Sequence, residues 1–72
     1  MDKEQLRIIM GKNIRKERLA RNMTVEQLSE FLEQSSGFVN LIEGGKRGIS
    51  SYTLLKLSEA LNVSIDSIFR NA

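Results

Sequence analysis

The chain has 72 residues, a formal net charge of +2, 40% hydrophobic and 28% charged residues, and neither cysteine, histidine nor proline. That length allows one small domain with a modest core, and that balance excludes a disordered tail. Without cysteine and histidine there is no disulfide framework, no thiolate metal site and no ready general base at neutral pH, so no metal or cofactor is expected. The N-terminus, Met-Asp-Lys-Glu-Gln, lacks the basic start and apolar run of a signal peptide, and nothing approaches a membrane span. A cytoplasmic protein with no membrane partner is the expectation.

Helix ends must be read from caps and glycines, because proline is absent. Asp2 with Gln5 is a loose capping box for a first helix. Its apolar stripe runs through Leu6, Ile9 or Met10, Ile14 and Leu19 to about residue 21, where Asn22 suits a left-handed stop. Thr24 with Gln27 is a second capping box, with Met23 placed to staple against Leu28. The second helix, about 24–32, is expected to bury Leu28, Phe31 and Leu32. Glu33-Gln34 is a short break before Ser35 or Ser36 caps a third helix, about 35–43, with Phe38, Val39 and Ile42 inward and Gly44-Gly45 as its stop. Ser50 or Ser51 caps a fourth, whose Leu54, Leu55, Leu57 or Ser58 and Leu61 face the core. Asn62 ends it. Ser64 caps a short fifth helix with Asp66 in its first turn and Ile65, Ile68 and Phe69 as its apolar residues. No segment alternates with period two, so the fold class is all-α: a compact five-helix bundle, residues 1–72 as one domain.

The spacing of the second and third helices carries functional information. Two short helices joined by so few residues must cross steeply to bury both stripes in one core. The outer face of the second of them is then left exposed and convex, narrow enough for a major groove. By helical period that face is Ser36, Gly37, Asn40, Leu41 and Gly44. The loop Gly44-Gly45-Lys46-Arg47-Gly48 follows, with two cations and several free backbone amides, which is what a phosphate strand requires.

Four stretches in register resemble the Cro/phage-repressor type of helix-turn-helix domain, the Xre-like regulators with a lambda-repressor-like fold. They are Gly11-Lys-Asn-Ile-Arg-Lys-Glu-Arg18, Met23-Thr-Val-Glu-Gln-Leu-Ser29, Val39-Asn-Leu-Ile-Glu-Gly-Gly-Lys-Arg47, and Thr53-Leu-Leu-Lys-Leu-Ser-Glu-Ala-Leu-Asn-Val-Ser-Ile-Asp66. The resemblance spans residues 10–69. It implies a transcriptional regulator, a repressor binding a palindromic stretch of double-stranded DNA as a homodimer, and not an enzyme. It places base contacts on Ser35, Ser36, Gly37, Asn40 and Leu41, and phosphate contacts on Thr24, Val25, Gly45, Lys46 and Arg47. It implies a buried structural ion pair between Arg18 and Glu43. The candidate dimer interface is Ile65, Ile68 and Phe69, and with the sequence ending three residues later no attached ligand or oligomerisation domain is expected.

The sequence departs from the family pattern in places. Valine stands at position 25 where the family has a phosphate-binding glutamine, and Glu33 stands where the turn has glycine. On the reading helix only Asn40 offers a bidentate adenine contact. Plainer roles compete: Ser35 as a cap, Leu41 as a stray apolar residue, the first helix's cations as a solvated face with Arg18 the exception. The charge is also uneven. Residues 1–22 hold seven cations and three carboxylates, residues 23–43 four glutamates and no cation, and residues 44–72 four cations and two carboxylates. The anionic middle, Val25 and Leu41 favour a second reading: a protein-binding module on the same fold, an antirepressor or antitoxin-like partner.

Overall fold

The computed structural model describes residues 1–70, which form five helices in the order α1 (Lys3–Ala20), α2 (Val25–Leu32), α3 (Ser36–Glu43), α4 (Ser51–Leu61) and α5 (Ile65–Ile68). Four of them start on a side-chain cap. Asp2 Oδ1 accepts the Gln5 amide at 2.8 Å while Gln5 Oε1 accepts that of Asp2, and Thr24 and Gln27 do the same for α2. Ser50 and Ser64 accept the amides of Thr53 and Ser67. Each such bond satisfies an amide that the helix itself leaves without an acceptor.

The four longer helices also stop by one device. Asn22, Glu33, Gly45 and Asn62 all take the left-handed conformation, with φ of 55°, 58°, 71° and 54°. In each case the next residue's amide reaches back to a carbonyl five positions earlier: Met23 to Arg18, Gln34 to Ser29, Lys46 to Leu41, Val63 to Ser58. This is the Schellman closure, which suits glycine and then asparagine. Glu33 is the ill-suited member, since a β-carbon is crowded in that conformation and a glutamate side chain offers little local compensation.

Every helix contributes to one core: Met10 and Ile14, Leu28 and Leu32, Val39 and Ile42, Leu57 and Leu61, and Ile68. α3 sits between α1 and α2, while α4 packs on α2 and α5 closes the bundle against α1 and α4. Asn13 ties that last closure. Its side-chain amide donates to the carbonyls of Ile68 and Arg70, both at 2.8 Å.

Four residues expected inward, Leu6, Leu19, Phe31 and Leu55, stand at the surface, each 38–51% exposed, and Ile65 is 41% exposed beside them. The cause is angular for three of them. At about 100° per residue, Leu19, Phe31 and Leu55 lie more than about 100° from the centre of their helix's buried stripe. The stripes pass through polar or small residues instead: Gly11 and Arg18 on α1, Ser29 on α2, Thr53 on α4, all buried. Ser29 meets its burial by donating its hydroxyl to the Val25 carbonyl at 2.7 Å. Leu6 sits at the stripe margin, and Ile65 opens the single turn of α5, whose inward position Ile68 takes.

Candidate nucleic-acid interface

α3 is held by its back. Gly11, in the middle of α1, is buried where α1 crosses the end of α3. A β-carbon there would overlap the Ile42 carbonyl oxygen and stand 2.8 Å from that of Glu43. The glycine is what lets the two backbones approach so closely. About two turns along α1, Arg18 grips the last residue of α3. Its Nε donates to one carboxylate oxygen of Glu43 at 2.6 Å and a terminal nitrogen to the other at 3.0 Å. Its remaining terminal nitrogen donates to the Met23 carbonyl at 2.8 Å.

Both side chains of this pair are more than nine-tenths buried. The Glu43 hydrogen bond raises the Arg18 pKa above its already high ordinary value, outweighing the lowering by burial, so the guanidinium stays charged across the working pH range. The pair also accounts for one of the four glutamates of the anionic middle. The other three, Glu26, Glu30 and Glu33, are exposed.

The front of α3 is free. Ser36, Gly37, Asn40, Leu41 and Gly44 are exposed, while Val39 and Ile42 are buried and Phe38 is half-buried against the core. Leu41 is 47% exposed. Among the described residues, no hydrogen bond engages the side chains of Ser36 and Asn40. Ser35 occupies the cap position of α3, yet its hydroxyl makes no bond to the helix. So α3 alone among the five helices begins without a side-chain cap. Its N-terminus presents the amides of Ser36 and Gly37, two serine hydroxyls and no acidic residue in the first turn. An uncapped helix start needs an acceptor from outside the helix.

The flanks differ from expectation. Val25 is half-buried against the core, so its side chain is unavailable to a phosphate, although the closed capping box still leaves the Val25 and Glu26 amides without helical acceptors. The loop amides are less free than its glycines suggest. Those of Gly44, Gly45 and Lys46 donate to Asn40, Ile42 and Leu41 and close α3. Gly45 is there for the turn: its φ is +71°, and a β-carbon would come within 3.1 Å of Ile8. Lys46 and Arg47 are exposed and lie beside each other. The Arg47 guanidinium carbon sits 4.5 Å from the Phe38 ring centroid, and its Nε donates to the Gly48 carbonyl at 3.0 Å, which fixes its stem beside the front of α3.

At the far end, Ile68 is 1% exposed and belongs to the core, so it has no surface to offer a second copy. Phe69 is half-buried against the same core. Of the three interface candidates only Ile65 is substantially exposed. Among the described residues no group of His, Cys, Asp and Glu could hold a metal ion, and no helix is long and apolar enough to cross a membrane.

Comparison with known proteins adds to this geometry. A family model described as Helix-turn-helix matches residues 14–68. The HTH-type transcriptional repressor RghR of Bacillus subtilis is 35% identical over 63 residues, which cover 86% of this chain and 47% of that protein. The chain thus spans about half the length of that relative. Among solved structures, the restriction-modification controller protein C.AhdI from Aeromonas hydrophila superposes with a TM-score of 0.82 at 27% identity, over 88% of this chain and 96% of that one. The clp gene regulator ClgR from Corynebacterium glutamicum gives 0.83 at 28% identity, over 88% and 67%.

Proposed function

The chain belongs to the helix-turn-helix family, and from that premise we propose that it is a repressor that binds a specific, palindromic stretch of double-stranded DNA as a homodimer. The observation that carries this reading is the state of α3. Its back is pinned by Arg18 and Gly11, its front is exposed, and its N-terminus is the one helix start without a side-chain cap. Helix-turn-helix proteins put the N-terminal residues of this second helix against base edges. In this reading Ser35 and Ser36 hydroxyls, the Gly37 backbone, the Asn40 amide and the Leu41 methyls face the major groove. Asn40 is the side chain able to grip one adenine with two bonds, and Leu41 suits a thymine methyl.

Phosphates on either side are assigned to Lys46 and Arg47 and to the start of α2 at Thr24 and the Val25 amide. Gly45 shapes the loop for Lys46, its own amide being spent within the helix end. The named relatives are regulators by name, and none is an enzyme. Work on a chromosome places the protein in the cytoplasm. So few contacts per domain make a two-fold arrangement necessary, because two copies one helical turn apart double them. Ile65 is the exposed apolar residue of the C-terminal helix from which such an interface would be built.

Selection from a random duplex library, followed by titration at two salt concentrations, tests the proposal. The expected result is an enriched site with two-fold symmetry and an affinity that falls steeply as salt rises. No enrichment together with salt-independent binding, or none, would instead favour the protein-binding reading. Exposed Phe31 and the glutamates of α2 are the surface such a partner would meet.

A further inference from the structure

Arg7 sits on α1, and its guanidinium lies along the loop after α3. A β-carbon on Gly48 would stand 3.3 Å from Arg7 Nε and 3.4 Å from one of its terminal nitrogens, so the guanidinium lies in close contact with the loop backbone. Nε is shielded from solvent and has no hydrogen-bond partner. No carboxylate among the described residues pairs with Arg7. A buried donor left without an acceptor is costly and rare in folded proteins, and an ordered water or a bound ion is among the groups that meet such a donor.

The surroundings indicate what the exposed end of the guanidinium is placed to bind. Arg7, Lys46 and Arg47 line one shallow depression with Gly48 and Ile49. Arg47 is already braced there by the Gly48 carbonyl and the Phe38 ring, and its terminal nitrogens bond to no described residue. Three cations around one concavity focus a positive potential on it. The terminal nitrogens of Arg7, unlike its shielded Nε, are open to solvent and bonded to no described residue, and they offer the forked pair of donors that a phosphate oxyanion accepts. The depression adjoins the loop that leaves α3, where a sugar–phosphate strand runs when a helix lies in the neighbouring groove.

We propose that Arg7 is the third arm of an anion cradle, with Lys46 and Arg47, that takes one phosphodiester of the duplex. The first helix therefore grips DNA directly, in addition to holding the reading helix from behind. This inference rests on the reading of the chain as a duplex-DNA binder.

The test compares wild type with Arg7→Met and Arg7→Lys on a selected duplex and on an unrelated one. Thermal melting is run on the free proteins. Arg7→Met loses no intramolecular bond and removes a stranded donor, so it is expected to melt at or above the wild-type temperature. Its affinity is expected to fall roughly tenfold on both duplexes alike. The slope of log K against log salt should shrink by about one for each copy bound. Arg7→Lys keeps the charge and should keep the slope while losing part of the affinity.

Equal slopes and affinities for all three proteins would overturn the cradle and leave DNA binding standing. A wild type that shows no salt-dependent binding to any duplex overturns the DNA reading, and the cradle with it. A titration of inorganic phosphate without DNA, followed on the Arg7 Nε–H resonance, separates the two sources of anion. Tight saturable binding there, with the DNA slope unchanged in Arg7→Met, assigns the site to a free anion and overturns the duplex proposal.

Discussion

The two faces of α3 are built on opposite terms. Behind it, a missing β-carbon at Gly11, a two-pronged ion pair from Arg18 to Glu43 and two core side chains, Val39 and Ile42, fix the helix to within side-chain precision. In front, no described side chain braces Ser36 or Asn40, and the helix start has no cap. The back is over-determined and the front under-committed. Position is thus set independently of what the front carries, and reading residues can change without disturbing the fold. The cost is that every front-side contact must come from outside the molecule.

The largest expected effect breaks the back. Arg18→Met strands the Glu43 carboxylate in a site more than nine-tenths buried, and losing one partner of such a pair costs about 3–5 kcal/mol. A domain of this size has a total stability of only about 4–11 kcal/mol, so a large share is at stake. Chemical denaturation of Arg18→Met, Glu43→Met and the double variant measures it. The double variant is expected to recover much of the loss, because no charge is then left unpaired. Equal loss in the double and in either single would show that the side chains' packing, and not their charges, holds the joint. The sign of the pKa shift adds a pH test. A raised arginine pKa gives a contribution that is whole below arginine's ordinary, strongly basic value and fades only above it. The coupling in this cycle should therefore be the same at pH 7 and pH 10.

Next in size is Gly11→Ala. Its new β-carbon meets backbone carbonyls of α3, which cannot rotate away as a side chain would. Displacing the helix to make room is expected to cost about 2–3 kcal/mol, in spite of alanine's better helix propensity. A rise in melting temperature would mean that α1 and α3 are farther apart than described.

How much of this was legible differs between back and front for physical reasons. Caps and periods are local, so the five helices, the box at Thr24 and the stop at Asn22 could be read from neighbouring residues. Leu19, Phe31 and Leu55 were misplaced because hydrophobicity alone cannot tell a stripe from its margin. The true stripes run through Gly11, Arg18, Ser29 and Thr53, which composition counts as polar or small. Arg18 with Glu43 came from family resemblance, since a contact across 25 positions leaves no local trace. Asn13, bridging to Ile68 and Arg70 across still longer separations, carried no signal beyond its place in a motif. Arg7 counted as one more solvated cation until the loop at Gly48 lay over it. The supposed free amides of the glycine loop were spent on closing α3, which the Gly-Gly pair itself foretold.

The turn between the two helices offers a smaller and opposite effect. Glu33 holds φ +58° where the other long helices stop on asparagine or glycine, and a non-glycine residue there is strained by about 1–2 kcal/mol. Glu33→Asn keeps the backbone and relieves part of that, so stability is expected to rise by about 0.5–1 kcal/mol. It also removes one negative charge close to the front of α3, so DNA affinity should rise slightly at low salt and less at high salt. A loss of stability would mean that the Glu33 side chain makes a contribution which outweighs its backbone strain.

The smallest expected change is the one that best separates front from back. Gly37 lies in the first turn of α3, exposed, and a β-carbon there would touch only the Ser35 hydroxyl oxygen, at 3.8 Å. Nothing in the fold requires a glycine at this position, in contrast to Gly11 and Gly45. Its helix-propensity cost is therefore unreturned by packing, and Gly37→Ala should stabilise the free protein by about 0.5–1 kcal/mol. If the front of α3 enters a groove, the same methyl is driven against a base edge or the phosphate strand, and affinity for the selected duplex should fall. Stability up with affinity down is the signature of a residue kept for contact and not for folding. Stability up with affinity unchanged would leave Gly37 outside the interface and shift the reading contacts toward Asn40 and Leu41, one turn further along the helix.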